Sequence, residues 1–206
     1  MTSDLSVEGS RPASRVANLM LGTVFILFVL VLGLIGVAAM TRRDAAEFAP
    51  TPIEVLPEAS DLVIDTITID ARSPHEWRWF SFRTRSVVAS PTAGWDLGFR
   101  RFNVVTAGGA IDLGQVPVDD VIEAPVAGYA GTEFGSDTTS AIFEDWYKYN
   151  FLSHLLEPQR HTFVVETRNG GHARISFVSY YCPRLEGGCV TFVYAYQPDG
   201  SRNFRP

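Results

Sequence analysis

Methionine, cysteine and lysine are nearly missing from this chain. Its three methionines, Met1, Met20 and Met40, all precede residue 41; its two cysteines are Cys182 and Cys189; its only lysine is Lys148. Beyond residue 40 no thioether is available as a ligand, and two cysteines alone do not complete a metal set. G-x-S-x-G, P-loop, H-E-x-x-H and glycine-rich dinucleotide fingerprints are missing as well. Those motifs carry nucleophilic, phosphate-binding, zinc and hydride chemistry, so their absence points away from an enzyme. The acidic pairs Asp119-Asp120 and Glu144-Asp145 are adjacent in sequence and read as loop charges. A basic excess is lacking too. The net charge is -6, and because Asp4 and Glu8 balance Arg11 and Arg15, the acidic excess lies after Met40. An acidic domain repels phosphate backbones, which excludes nucleic acid as the expected partner. Helical periodicity is absent after residue 40, apart from a short turn expected near SAIFEDWYKYN, and there is no internal repeat.

What is present begins with one long apolar run. VANLMLGTVFILFVLVLGLIGVAAM, Val16 to Met40, contains no charged residue. At about 1.5 Å per residue it is long enough for a hydrocarbon core of about 30 Å. A cleavable signal peptide has a shorter apolar stretch, although the small residues of VAAM offer a cleavage site. The reading is an uncleaved single-pass anchor. Arg11 and Arg15 before it and Arg42 and Arg43 after it leave the positive-inside count tied. Cys182 and Cys189 break the tie. They flank a loop containing Pro183, Gly187 and Gly188 between two strand-like runs, where a disulfide could close a hairpin end. Such a bond needs an oxidising compartment; the alternative is two buried free thiols. The expected location is the cell inner membrane, with the N-terminus cytoplasmic and the C-terminal domain periplasmic.

The organisation that follows is a cytoplasmic tail (1–15), a transmembrane helix (16–40), a Pro-rich linker (41–60) and an extracytoplasmic β domain (61–206). Pro50, Pro52 and Pro57 deny the linker a helix or a central strand, so it reads as an extended spacer. From Asp61 the apolar residues alternate. Val63, Asp65, Ile67 and Ile69 share one face of a strand, and Leu62, Ile64, Thr66 and Thr68 the other. Trp77 and Trp79 point one way, Phe80 and Phe82 the other. Val190, Phe192, Tyr194 and Tyr196 form one face of a last strand. Aromatic and β-branched residues of this kind suit a half-buried pleated surface. Asn169-Gly170-Gly171 joins two runs and supplies the positive φ angles of a tight hairpin. Residues 107–140, with six glycines, form the longest loop and are the first place to expect binding.

The stretch GWDLGFRRFNVVTAGG does not keep one phase. Trp95, Leu97 and Phe99 fall on one face and Phe102 and Val104 on the opposite one. Either a bulge at Arg100-Arg101 resets the register or both faces are covered. At such a kink one arginine can reach a carboxylate and the other solvent. Gly98 permits close approach, and Gly108-Gly109 ends the strand in a turn.

These residues also carry a resemblance. WRWFSFRT followed by WDLGFRRFNVVTAGG, then WYKYNFLSHLLEPQRHTFVVETRNGGHARISFVSYY and GCVTFVYAYQPDGS, resembles the HmuY family of bacterial haem-binding proteins. The resemblance spans roughly Ile64 to Phe204. It implies an all-β, antiparallel HmuY-like β-sandwich with long loops, here preceded by a single transmembrane α-helix. Family members that hold haem use a pair of axial side chains, often two histidines from separate loops. The histidines here are His75, His154, His161 and His172. His75 follows Pro74 and reads as a turn residue, and His172 lies just past a hairpin turn. His154 and His161, flanking Pro158, are the candidate haem pair.

No cofactor is the leading expectation and haem the alternative. The function expected is a non-enzymatic accessory subunit, with a periplasmic domain docking on and stabilising a larger integral membrane complex, respiratory or photosynthetic electron transfer being the plausible host. Its partners would be that complex and the lipid bilayer. The helix offers Gly22, Gly33, Gly36, Ala38 and Ala39 for close helix contact, though not at GxxxG spacing. Candidate interface residues are Tyr129, Phe134, Trp146, Tyr147, Arg100 and Arg101, since aromatic residues and arginine dominate interface energetics. For Trp146 and Tyr147, burial under the sheet is the competing expectation. The alternative function is a membrane-tethered haem-binding protein of HmuY type.

Overall fold

The computed structural model describes residues 13–40 and 45–205, except Val55, Ser90, Thr92, Ala93, Gly135, Ser136, Asp137 and Thr139. The helix and the β domain are separate compact units. Helix α1 is Ala13–Met40, and Val16–Val37 is its continuous apolar portion. Leu19, Phe25, Leu30 and Leu34 are all at least half exposed. A helix that is apolar on every side has no polar face to offer water. Even its Thr23 hydroxyl is satisfied internally, donating to the Leu19 carbonyl at 2.9 Å.

The domain is built from antiparallel strands. Five of them, β1 (Val63–Asp70), β6 (Gly109–Asp112), β9 (Thr162–Glu166), β10 (His172–Cys182) and β11 (Glu186–Gln197), form one sheet in the order β1-β11-β10-β9-β6. A second sheet has the order β3-β2-β4-β5, from β2 (Arg78–Ser81), β3 (Ser86–Val88), β4 (Leu97–Arg100) and β5 (Asn103–Thr106). The last two, β7 (Tyr147–Asn150) and β8 (Leu155–Pro158), make a separate hairpin.

Aromatic side chains fill the space between the two larger sheets, as the alternation along β1, β2 and β11 demands. Ile67, Ile69, Phe80, Phe82, Phe192, Tyr194 and Tyr196 are all buried in one core. Phe192 touches rings from both sheets: Phe80 at 5.6 Å, Phe99 at 5.5 Å and Phe177 at 5.9 Å between centroids. Trp77 and Trp79 stack on the other side of β2 at 5.6 Å, and Trp95 packs tilted against Trp79 at 4.5 Å. Gly98 admits them: a Cβ there would lie 2.6 Å from the Trp79 ring.

The two arginines prove to be a turn and not a bulge. Arg100 pairs with Asn103, so Arg101-Phe102 is the two-residue loop of the β4–β5 hairpin, with Arg101 at φ 56°. Reversal of the chain, and not a register slip, is why Phe102 and Val104 fall out of phase with Leu97 and Phe99. Neither arginine meets a carboxylate among the described residues. Arg100 lies over the Trp77 ring at 4.6 Å. Arg101 donates its backbone N–H to the Ala71 carbonyl, and its guanidinium to the carbonyls of Arg72 at 3.2 Å and Gly187 at 2.9 Å. The Asn-Gly-Gly turn is also longer than a tight hairpin. Glu166 pairs with His172, leaving a five-residue loop in which Gly170 has φ 81°. Thr167 holds it, its hydroxyl accepting from the Gly171 N–H at 2.9 Å.

Cys182 and Cys189 form a disulfide, Cα atoms 4.9 Å apart, at the β10–β11 turn. Two neighbouring segments fasten to that turn: Arg101 through Gly187, and Glu47, whose carboxylate accepts the Arg184 N–H at 2.8 Å. The stretch expected as a free spacer is therefore, from Ala45 on, laid against the domain. Ser179 Oγ donates to the Ala46 carbonyl, Phe48 N–H to the Tyr181 carbonyl at 2.9 Å, Thr51 N–H to Thr68 at 2.9 Å and Ala59 N–H to Arg83 at 3.0 Å. Much of the long segment 107–140 is likewise structural. It contributes β6, and its Val121 and Ala124 pack with Val164, Ala195 and Phe204 on the outer face of the five-stranded sheet. Buried Arg174 pins it there, donating to the carbonyls of Val121 at 2.7 Å and Asp119 at 3.2 Å.

Candidate functional site

The β7–β8 hairpin gathers the sequence's most chemically suggestive residues. Its base is anchored by Trp146. The indole is 1 % exposed, lies 4.8 Å from the Phe177 ring and donates its Nε1–H to the Phe102 carbonyl at 2.9 Å. Trp146 is therefore a core residue and not an interface residue: a buried Trp packs its ring and satisfies its one donor. Tyr147 packs half-buried beside Phe102, with centroids 5.5 Å apart. Burial raises its pKa. On the other strand, Leu156 N–H donates to the Tyr181 hydroxyl at 2.7 Å, joining the hairpin to β10.

Residues 151–154 form the hairpin loop, since Asn150 pairs with Leu155. Asn150 organises it: Oδ1 accepts from Leu152 N–H at 2.9 Å and Ser153 N–H at 3.3 Å, while Nδ2 donates to Glu157 at 2.7 Å. His154 takes φ 56°, and its Nδ1 lies 2.6 Å from the Tyr149 hydroxyl. Phe151 and Leu152 stand out from the loop, 80 % and 81 % exposed. Tyr149 packs edge-on to Phe151 at 5.0 Å.

His161 lies elsewhere, before β9. Its Nδ1 is 2.8 Å from Asp112 Oδ2, and Asp112 Oδ1 accepts from Gly114 N–H at 2.7 Å. His154 and His161 lie on either side of β8 and take different partners, Tyr149 and Asp112. Among the described residues no group of three His, Cys, Asp or Glu side chains is placed to hold a metal ion.

The remaining candidates are scattered. Tyr129 is half-buried and donates to the Pro125 carbonyl at 3.0 Å. Burial, aided by the charge of Glu166, pushes its hydroxyl up to about 12. Phe134, 58 % exposed, stands edge-on to Trp95 at 6.0 Å. A cavity of about 290 Å³ beside the hairpin base is lined by Phe102, Asn103, Val104, Ser140, Phe143, Glu144 and Tyr147, with no histidine. That is near the lower bound of about 300 Å³ for small-molecule pockets.

Reading the sequence missed Phe151 and Leu152. In sequence they look like any apolar pair; only a loop that projects them makes them distinctive. The cue was local, the Tyr-Asn-Phe-Leu run of residues 149–152 closed by His154 and Leu155-Leu156.

No protein-family model and no curated protein matches the sequence. Solved structures do. An apo HmuY analog from Tannerella forsythia aligns over 68 % of this chain and 98 % of its own, with a TM-score of 0.60 at 18 % identity. The domain has an HmuY-like fold. A Bacteroides vulgatus protein described as HmuY-like and heme-binding aligns over 64 % of this chain and 90 % of its own, with a TM-score of 0.55 at 16 % identity. A Bacteroides fragilis protein described as a lipoprotein covers 68 % and 91 %, again at TM-score 0.55 and 16 % identity. At these identities the likeness concerns the fold. The apolar helix that precedes this HmuY-like domain is by length and composition compatible with membrane anchoring.

Proposed function

We propose that this chain is a non-enzymatic, membrane-anchored accessory subunit. The helix holds it in the inner membrane, and the acidic HmuY-like domain lies in the periplasm, where its disulfide is compatible with an oxidising environment. The domain docks on and stabilises a larger integral membrane complex; an electron-transfer complex is the host class this reading names. The observation that carries it is the commitment of the expected haem ligands to separate internal contacts, His154 with Tyr149 and His161 with Asp112, in a chain with a spanning-length apolar helix. Exposed Phe134 and the Arg100–Trp77 stack supply the docking groups. Purification of the full chain from native membranes in mild detergent is expected to bring a membrane partner with it in fixed ratio. A chain that migrates alone overturns the proposal.

The fold itself favours a second reading, a membrane-tethered haem-binding protein, because a neighbour of similar fold is described as heme-binding. Titrating the detergent-solubilised full chain with haemin separates the two. The expected result is no Soret shift, and the same trace for His154→Ala and wild type. A sharp shift abolished by His154→Ala establishes the haem reading instead.

A further inference from the structure

The β7–β8 loop is a projecting apolar tip. Large apolar side chains scattered singly on a surface are ordinary. Here Phe151 and Leu152 are adjacent, four-fifths exposed, and extended by the half-exposed ring of Tyr149. The tip's backbone is prepared for leaving water. The N–H groups of Leu152 and Ser153 are both taken by Asn150 Oδ1, and the Tyr149 hydroxyl is paired with His154. An apolar medium penalises unsatisfied backbone groups, so pairing these two N–H groups within the loop lowers the cost of entering it.

Chain connectivity selects the medium. Tyr181 links the hairpin to the domain's entry: its hydroxyl accepts from Leu156 N–H, while its backbone carbonyl accepts from Phe48 N–H. Ala45 packs on the same core as Leu155 and Leu156. Only residues 41–44 lie between Met40, where the apolar helix ends, and Ala45. At a maximum of about 3.5 Å per residue, those five peptide steps span no more than about 18 Å. The chain therefore leaves the apolar helix only five residues before the segment that Tyr181 ties to the hairpin, and a lipid surface is the medium that a helix of spanning length supplies.

The geometry points to the Phe151-Leu152 tip as a second membrane contact, inserted in the lipid headgroup region with Tyr149 at the interface. Tyr and Phe suit that position, and an apolar contact there reaches about 5–10 Å into the headgroup–acyl boundary. It would fix the domain's tilt on the membrane surface, which a single helix with a short connection does not do. This inference rests on the anchored reading above.

The test uses the full chain with its disulfide intact, carrying Leu152→Cys labelled with an environment-sensitive fluorophore, in phosphatidylcholine vesicles without other protein. The expected result is strong quenching by lipids spin-labelled near the headgroup and weak quenching by aqueous iodide. Phe151→Asp in the labelled chain is expected to reverse that order, and because the residue is exposed, the domain's near-UV circular dichroism should not change. A label that iodide quenches freely in vesicles overturns the inference. So does a label shielded only in native membranes, since that outcome assigns the tip to a protein partner. Carbonate extraction distinguishes the two levels of failure: release of the chain removes the anchor, whereas retention with an aqueous label removes only the inserted tip.

Discussion

Phe192→Ala is expected to lower the domain's stability by about 4 kcal/mol, within the range measured for truncating buried phenylalanines. Phe192 is fully buried and is the ring on which Phe80 and Phe99 from one sheet meet Phe177 and Tyr194 from the other. Truncating it leaves a void bounded by rigid strands on both sides, which relax little. For a domain of this size each kcal/mol moves Tm by about 2–4 °C, so the melt should fall by roughly 10 °C. Near-UV circular dichroism of the full chain in mild detergent measures it. Phe151→Ala is the control: an exposed phenylalanine should change stability by less than about 0.5 kcal/mol. Equal effects at the two positions would contradict the placement of the core.

Asp96 makes stability fall as pH rises from about 4 to about 6. Its carboxylate is 2 % exposed, and although it accepts from Phe82 N–H at 2.8 Å and Ser81 Oγ at 3.3 Å, burial outweighs those bonds and pushes its pKa up to about 6. The unfolded chain releases this proton near pH 3.9. Between those values the folded state binds more protons than the unfolded one, so raising the pH favours unfolding. The contribution is complete below about pH 4 and lost above about pH 6, a difference of about 3 kcal/mol over two units. Asp70 works in the opposite sense and in another window. Its hydrogen bond with Arg72 holds it below the ordinary carboxylate range, so what it contributes is lost only as pH falls below about 4. Urea midpoints at pH 4, 5, 6 and 7 should therefore decline and then level. Asp96→Asn should flatten the slope; persistence of the slope in that variant would assign it to another group.

Much of the β domain was legible because strand alternation is a local property. The two-residue period of β1, β2 and β11 grouped Ile67 with Ile69, Phe80 with Phe82 and Phe192 with Tyr194 on shared faces, and the structure buries all six in one core. The cysteines were readable for a similar reason: two strand-like runs joined by a short glycine-containing loop put residues 182 and 189 across a hairpin end, where the disulfide forms. The candidate site was far less legible. Arg100-Arg101 looked like a bulge because a phase change in apolar residues has the same signature whether the strand kinks or the chain turns back. Trp146 read either as an anchor for a partner or as buried under the sheet; it is buried, and what buries it, Phe102 and Phe177, is distant in sequence. His154 and His161 read as one pair around Pro158, and the partner each takes, Tyr149 for one and Asp112 for the other, is set by contacts that no local pattern records.

The sequence by itself determined a helix apolar on every side, an aromatic β domain, its facing residues and where a cross-link could form, because these follow from composition and from periods of a few residues. Tertiary structure alone decided that the Pro-rich stretch from Ala45 is sewn to the domain, that Val121 and Ala124 cover a sheet face, and that Phe151 and Leu152 are left bare. Those outcomes depend on which distant segments compete for the same buried surface and the same backbone donors, and no local pattern records the result of that competition.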